Sequence, residues 1–338
     1  MFSDGDAAIK GTRTMPSTSD WQMPAAIQPR AGKYGYDLDQ ALTSVVGLRA
    51  TVPADAFTAD VLGTERSGNG VLIGKDGLVL TIGYLVTEAD SIWLSLADGR
   101  AVPGTVLGYD QATGFGLVQA LARLDLPALP LGNSSAIEVG EEVVVAGAGG
   151  RHHSVAARVA AKQEFAGYWE YVLDEALFTT PAHPYWGGTA VIGPAGDLVG
   201  IGSLQLERAG KSGNEHLNMI VPIDLLKPVL DDLRTVGRPN RPPRPWLGLY
   251  ATEVEDQVLV AGIASRGPAQ QAKLKTGDVV LAVGGAKVDG LAGFFRNIWA
   301  LGQAGVEVPL TISRDGRTSE LRVASADRER FLKGPSLH

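Results

Sequence analysis

Five histidines and no cysteine limit the chemistry this chain can do. Without cysteine there is no disulfide, no thiol nucleophile and no thiolate metal ligand. The histidines are poorly spaced for a metal. His152 and His153 are adjacent, so on a strand they face opposite sides. His183 and His216 join them only if the fold brings them together. The expectation is no metal site and no cofactor, with the histidines as surface or hydrogen-bonded groups. Thr179-Thr180 and the aromatics Tyr168, Trp169 and Tyr171 are candidates for lining a groove. Alternating aromatics on a strand more often pack against neighbouring strands. Asn133-Ser134-Ser135 reads as a turn without a catalytic part. Gly187-Gly188 follow Pro184-Tyr185-Trp186, and a tight turn there needs glycine for backbone reasons alone. No serine, cysteine or threonine lies between Pro181 and Gly188 to act as a nucleophile.

The elements that position these groups read as mostly strands. Glycine makes up 43 of 338 residues, about 13%, against a usual ~7%. It lacks a G-X-Y period and sits between short apolar runs, which indicates many turns and a β-rich fold. GVLIG, the turn KDG, LVLTI, SIWLSL, the turn ADGR and AVPGTVLG follow one another from Gly70. GFGLVQA, EEVVVAGAG, SVAARVAA, WEYVLDEALF, TAVIG and LVGIGSLQL continue the pattern, as in an all-β barrel or sandwich. Residues 37–50 read as a short helix running into a first strand. Leu225, Leu226, Val229, Leu230 and Leu233 recur at helical spacing and predict a helix over 222–236. GRPNRPPRPW is a stiff, extended linker and the clearest domain boundary. Residues 1–36 are polar and read as a mobile arm, with Trp21, Tyr34 and Tyr36 as stray aromatics or anchors.

Several stretches together resemble the HtrA/Deg serine proteases. SGNGVLIGKDGLVLTIGYLV is similar to their histidine segment, and LADGRAVPGTVLGYDQATGFGLVQA to the hairpin and strand that carry their aspartate. GGTAVIGPAGDLVGIGSLQL resembles the strand pair after their serine, and HLNMIVPIDLLKPVLDDL the end of their protease domain. WLGLY with SRGPAQQAKLKTGDVVLAVGG looks like their PDZ domain. The resemblance implies a mainly β chain: a trypsin-like double β-barrel followed by one PDZ domain. The expected boundaries are an arm over 1–36, the protease fold over 37–237, the linker over 238–245 and the PDZ domain over 246–330.

The positions that match the family's triad carry other residues. Tyr84 stands at the histidine, Gly114 at the aspartate and Trp186 at the serine. Tryptophan has an N–H donor and no nucleophile. Tyrosine, with an ordinary pKa near 10, is a poor base at neutral pH. Losing a whole triad costs on the order of 10⁶ in rate. The resemblance also puts an oxyanion-hole N–H at Pro184, and proline has none. We expect Tyr84 and Trp186 to fill the former cleft and pack over Gly114. No catalytic residue is expected.

In the PDZ-like part the resemblance gives Leu247, Gly248 and Leu249 as the loop whose backbone N–H groups hold a peptide's terminal carboxylate. The helix around Leu291–Leu301 forms the other groove wall. The expected function is therefore a pseudoprotease that binds peptide or protein C-termini. The alternatives are a serine endopeptidase and a structural subunit, as a homotrimer or mixed with active relatives. A net charge of −7 argues against a general nucleic-acid binder. No apolar run approaches the ~20 residues of a membrane-spanning helix. The polar N-terminus lacks a secretory apolar segment, which reads as cytoplasmic for the chain as written, and periplasmic if the true start lies upstream.

Overall fold

The computed structural model describes residues 21–210 and 213–334. These residues divide into two compact units. The larger runs to Gln163, resumes over Glu175–Asn240 and takes in Lys333. The smaller consists of Glu164–Asp174 and Arg241–Leu332.

The larger unit holds two closed barrels. Helix α1 (Leu38–Leu42) begins at Asp37, whose carboxylate accepts the Gln40 N–H and caps the first turn. It leads into β1 (Val45–Thr51), the one-turn α2 (Ala59–Leu62), β2 (Glu65–Leu72), β3 (Leu78–Ile82), β4 (Ser91–Ser95), β5 (Ala101–Tyr109) and β6 (Phe115–Ala120). These strands close in the order β1-β2-β3-β6-β5-β4. β4 alternates as a half-buried strand should: Ile92 and Leu94 point inward while Trp93 is half exposed. β3 is buried along its whole length, matching its unbroken apolar run. The predicted turns at Gly77 and Gly99 both have positive φ, 87° and 85°, which glycine adopts without strain.

The second barrel uses β7 (Glu142–Ala146), β8 (Ser154–Gly167), β9 (Tyr171–Thr180), β10 (Ala190–Ile192), β11 (Leu198–Gly210) and β12 (Gly213–Pro222). Its order is β10-β11-β12-β9-β8-β7. Val143, Val145, Val155, Val159, Leu177, Val191 and Ile220 meet in its core.

Three expectations change here. Residues 21–36 are not a free arm. Met23 is buried in the second barrel's core, its N–H donates to His152 O at 2.8 Å, and Ala156 N–H donates to Ile27 O at 2.7 Å. Apolar Met23 and Ile27 gain burial that a polar segment lacks. Residues 1–20 lie outside the described residues. The predicted helix over 222–236 splits into a 3-10 turn, Ile223–Leu225, and α3 (Leu230–Thr235). Pro228 lacks an N–H and interrupts the helical ladder, so the apolar spacing continues across a broken backbone. His152 and His153 lie in a 3-10 turn, Gly150–His153, rather than on a strand.

In the smaller unit, β13 (Leu249–Val254), β14 (Gln257–Ile263), α4 (Pro268–Gln271), β15 (Val279–Val283), β16 (Ala286–Lys287), α5 (Gly290–Ala300), β17 (Glu307–Arg314) and β18 (Arg317–Ala324) follow in sequence. The sheet order is β13-β14-β15-β17-β18, with β16 paired to β15, so β13 is an edge strand. Leu291, Phe294, Phe295 and Ile298 of α5 bury their 3–4 spaced face against Leu247, Leu249, Val280, Val283 and Leu310. The helix expected over 291–301 is found one residue earlier.

Candidate functional site

Two places combine converging polar groups with backbone that only particular residues can adopt. The first lies in the larger unit. Tyr84 sits in a 3-10 turn, Gly83–Leu85, directly after β3. Its hydroxyl donates to Ser203 O at 2.8 Å, with the Trp186 side chain beside it. Burial pushes the Tyr84 hydroxyl pKa well above the ordinary value. The phenol hydrogen is taken by the carbonyl, and the phenol keeps its proton at neutral pH.

Gly114 has φ 83° and its carbonyl accepts the Gly83 N–H at 2.6 Å. The ring that crowds Gly83 beside this carbonyl is Tyr109. Gly114 thus serves the turn that joins β5 to β6, where Asp110 also accepts the Ala112 N–H on its side chain at 3.1 Å.

The loop before β10 is held from beneath by Asn69 of β2, which is fully buried. Its side-chain amide donates to Tyr185 O and Gly187 O, both at 3.1 Å, and its Oδ1 accepts the Ala148 N–H at 2.9 Å. A Cβ on Gly187 would lie 2.8 Å from the Tyr84 hydroxyl, and one on Gly188 (φ 75°) would collide with Asn69 O. Both glycines are explained by this packing. Pro184, one residue after the buried His183, brings no N–H to the loop.

His153 and His183 are tied into the fold. His183 is fully buried, and its Nε2 bonds to His153 O at 2.9 Å while its Nδ1 accepts the Tyr185 N–H at 3.1 Å. Burial lowers its pKa to about 4, so it is neutral near pH 7. Trp21 packs edge-on against both His153 and His183. His216 is half exposed, 3.6 Å from Glu207. Among the described residues no three His, Cys, Asp or Glu side chains are grouped to hold a metal. Asn133-Ser134-Ser135 is indeed a turn, with Ser134 Oγ accepting the Asp224 N–H.

The second place lies in the smaller unit. At the turn Trp246-Leu247-Gly248-Leu249, three successive backbone N–H groups converge on one carboxylate. Oε1 of Glu170 accepts from Leu247 at 3.1 Å, Gly248 at 2.8 Å and Leu249 at 3.2 Å, and Oε2 accepts from Leu247 at 3.0 Å. Gly248 has φ 74°, which lets consecutive N–H groups point the same way. Burial drives the Glu170 carboxyl pKa up to about 7, against the pull of the three N–H groups and of Arg328.

The turn was expected to hold a carboxylate; that the carboxylate belongs to the same chain was not. Nothing in Tyr168-Trp169-Glu170-Tyr171 marks the glutamate except its place at a hairpin tip among aromatics. There, Trp169 stacks on Tyr171 with ring centres 5.3 Å apart. Asn69 was also missed, and its one signal is an asparagine between glycines inside an apolar strand.

Residues 68–201 match the trypsin-like peptidase domain family and residues 245–324 the PDZ domain family. The chain is 30% identical over 273 residues to a "probable periplasmic serine endoprotease DegP-like" of Pseudomonas fulva, covering 77% of this chain and 56% of the relative. A protein of the same description from Halomonas elongata is 30% identical over 280 residues, covering 79% and 58%. The chain thus spans a little over half the length of these curated relatives. Among solved structures, "HtrA-type protease AlgW with decapeptide" superposes with TM-score 0.52 at 20% identity, covering 88% of this chain and 98% of that one. The serine endoprotease from Yersinia pestis gives 0.51 at 19%, covering 87% and 99%. At these identities the structures speak for the fold.

Proposed function

The chain belongs to the HtrA-type family, and we propose that it is a non-catalytic member that recognises the C-termini of peptides or proteins. The observation that carries this reading is the carboxylate cradle: the N–H groups of Leu247, Gly248 and Leu249 at 2.8–3.2 Å from one carboxylate. Such charge-assisted bonds are about twice as strong as neutral ones. β13 is an edge strand beside the cradle, the arrangement that strand addition of a peptide requires.

The proposed absence of catalysis rests on the side chains at 84 and 186. The Tyr84 proton is committed to Ser203 O, and Trp186 supplies only a donor. The names of the relatives favour a serine endopeptidase instead. Against this stand the residue types at 84, 114 and 186, and the missing N–H at Pro184. No described helix is long and apolar enough to cross a membrane, and the compartment that the relatives' names support is the periplasm.

The test is fluorescence anisotropy with labelled decapeptides ending in Ala, Val, Leu or Phe, each with a free or an amidated C-terminus. At least one free-acid peptide should bind ~30-fold or more tightly than its amide. Equal affinity for every acid and amide pair would overturn the reading.

A further inference from the structure

We propose that the hairpin tip Tyr168–Val172 is a built-in competitor of the peptide, so that an external C-terminus binds the PDZ groove only by displacing it. This inference rests on the peptide-binding reading of the same groove. Tip and groove belong to one compact unit, Glu164–Asp174 with Arg241–Leu332.

The tip reproduces three features of a bound C-terminal peptide. Glu170 supplies the carboxylate, with both oxygens in the cradle and the residue only 6% exposed. Tyr168 supplies the strand pairing: its carbonyl accepts the Ala251 N–H at 2.9 Å, on the edge strand β13. Val172 supplies an apolar side chain, buried in the same core cluster as Leu247, Leu249, Leu291, Phe294 and Ile298. A ligand needs those same N–H groups, edge and pocket. Each has one occupant at a time.

The tip is also anchored at both legs. Arg296 of α5 bonds Glu164 through Nη1 and Asp174 through Nη2, each at 2.5 Å. These ion pairs are largely exposed and together contribute little stability. They fix register more than they hold the tip down.

Two observations make the tip displaceable. Glu170 has φ 60°, a left-handed conformation that strains a non-glycine residue. Its carboxyl is also poorly suited to the cradle, since burial has raised its pKa to about 7 and part of it is neutral near that pH. A terminal α-carboxyl, with an ordinary pKa near 3.5, stays ionised and is the better partner for three N–H donors.

The experiment compares the full chain with its Glu170→Gly and Glu170→Ala variants. Glycine relieves the left-handed backbone, and alanine keeps a Cβ there. Circular dichroism establishes that each is folded. Amide hydrogen exchange at Leu247, Gly248 and Leu249 reads the plug without any peptide: protection should fall in both variants. Anisotropy with the free-acid decapeptides reads competition: affinity should rise ~10-fold or more, because the competent fraction of grooves rises.

Unchanged protection of the three amides would overturn the plug, as would equal peptide affinity in wild type and both variants. Lost protection with no peptide binding in any form would leave the plug standing and remove the peptide-binding reading. The two failures are therefore distinguishable.

Discussion

Replacing Asn69 with alanine should destabilise the larger unit by about 3 to 5 kcal/mol. The side chain is fully buried and bonds Tyr185 O, Gly187 O and Ala148 N–H. Alanine leaves all three without that partner, and an orphaned buried group costs about 1–3 kcal/mol. The methyl group also leaves a cavity. Urea unfolding followed by intrinsic fluorescence should show a midpoint shift with an unchanged slope. Asn69→Asp keeps the acceptor for Ala148 but loses both donors, and should fall between alanine and wild type or below both if the charge stays unpaired. A shift under about 1 kcal/mol for alanine would mean that the loop before β10 is held by other contacts.

Replacing Gly248 with valine should abolish carboxylate recognition. Gly248 has φ 74°, which a β-branched residue cannot adopt without strain, and its Cβ would lie 2.9 Å from the Trp246 ring. The turn must open, and its N–H groups then no longer converge. Loss of two charge-assisted bonds corresponds to about 3 kcal/mol, or ~100-fold in affinity. Gly248→Ala carries the same backbone penalty with less bulk, and should lose less. Titration of a free-acid peptide against both variants, at a temperature where circular dichroism shows them folded, gives the ranking. Undiminished binding by Gly248→Val would place recognition elsewhere.

These two predictions mark how legible the chain was. The β-rich fold could be read from turn residues such as Gly77 and Gly99 and from alternation such as Ile92 and Leu94 in β4. Those are local signals, within reach of a strand's own sequence. The cradle residues Leu247, Gly248 and Leu249 came from the resemblance to the family's PDZ loop, a match that one short run of consecutive residues can carry. The continuous helix over 222–236 failed because periodicity of apolar residues does not register the missing N–H of Pro228. The arm failed because Met23 and Ile27 gain their burial from partners more than 100 residues away.

Sequence order hides the rest as well. Asn69 and Tyr185 are 116 positions apart, and Glu170 and Leu247 are 77 apart. No spacing rule connects them. The substitutions at 84, 114 and 186 were readable as losses of chemistry. What those positions do instead was not, because Tyr84 bonds Ser203 O, 119 positions away, and the Gly114 carbonyl accepts the Gly83 N–H.

The same physical pattern runs through both places. At 84 the phenol donates to a backbone carbonyl and keeps its proton, and at 186 the indole offers only a donor, so neither side chain is a base at neutral pH. At 247–249, donors that could only bind an anion have kept one. In the proposed reading, such a chain holds carboxylates and leaves peptide bonds intact.

The most direct measurement of that claim is mass spectrometry of unfolded casein after overnight incubation with the purified chain. It should be run on wild type and on Glu170→Gly, so that occupancy of the groove by the hairpin tip cannot mask an activity. The account predicts casein of unchanged mass with both proteins. Casein fragments that persist through a further purification step, and that disappear with Tyr84→Ala and Trp186→Ala, would contradict it.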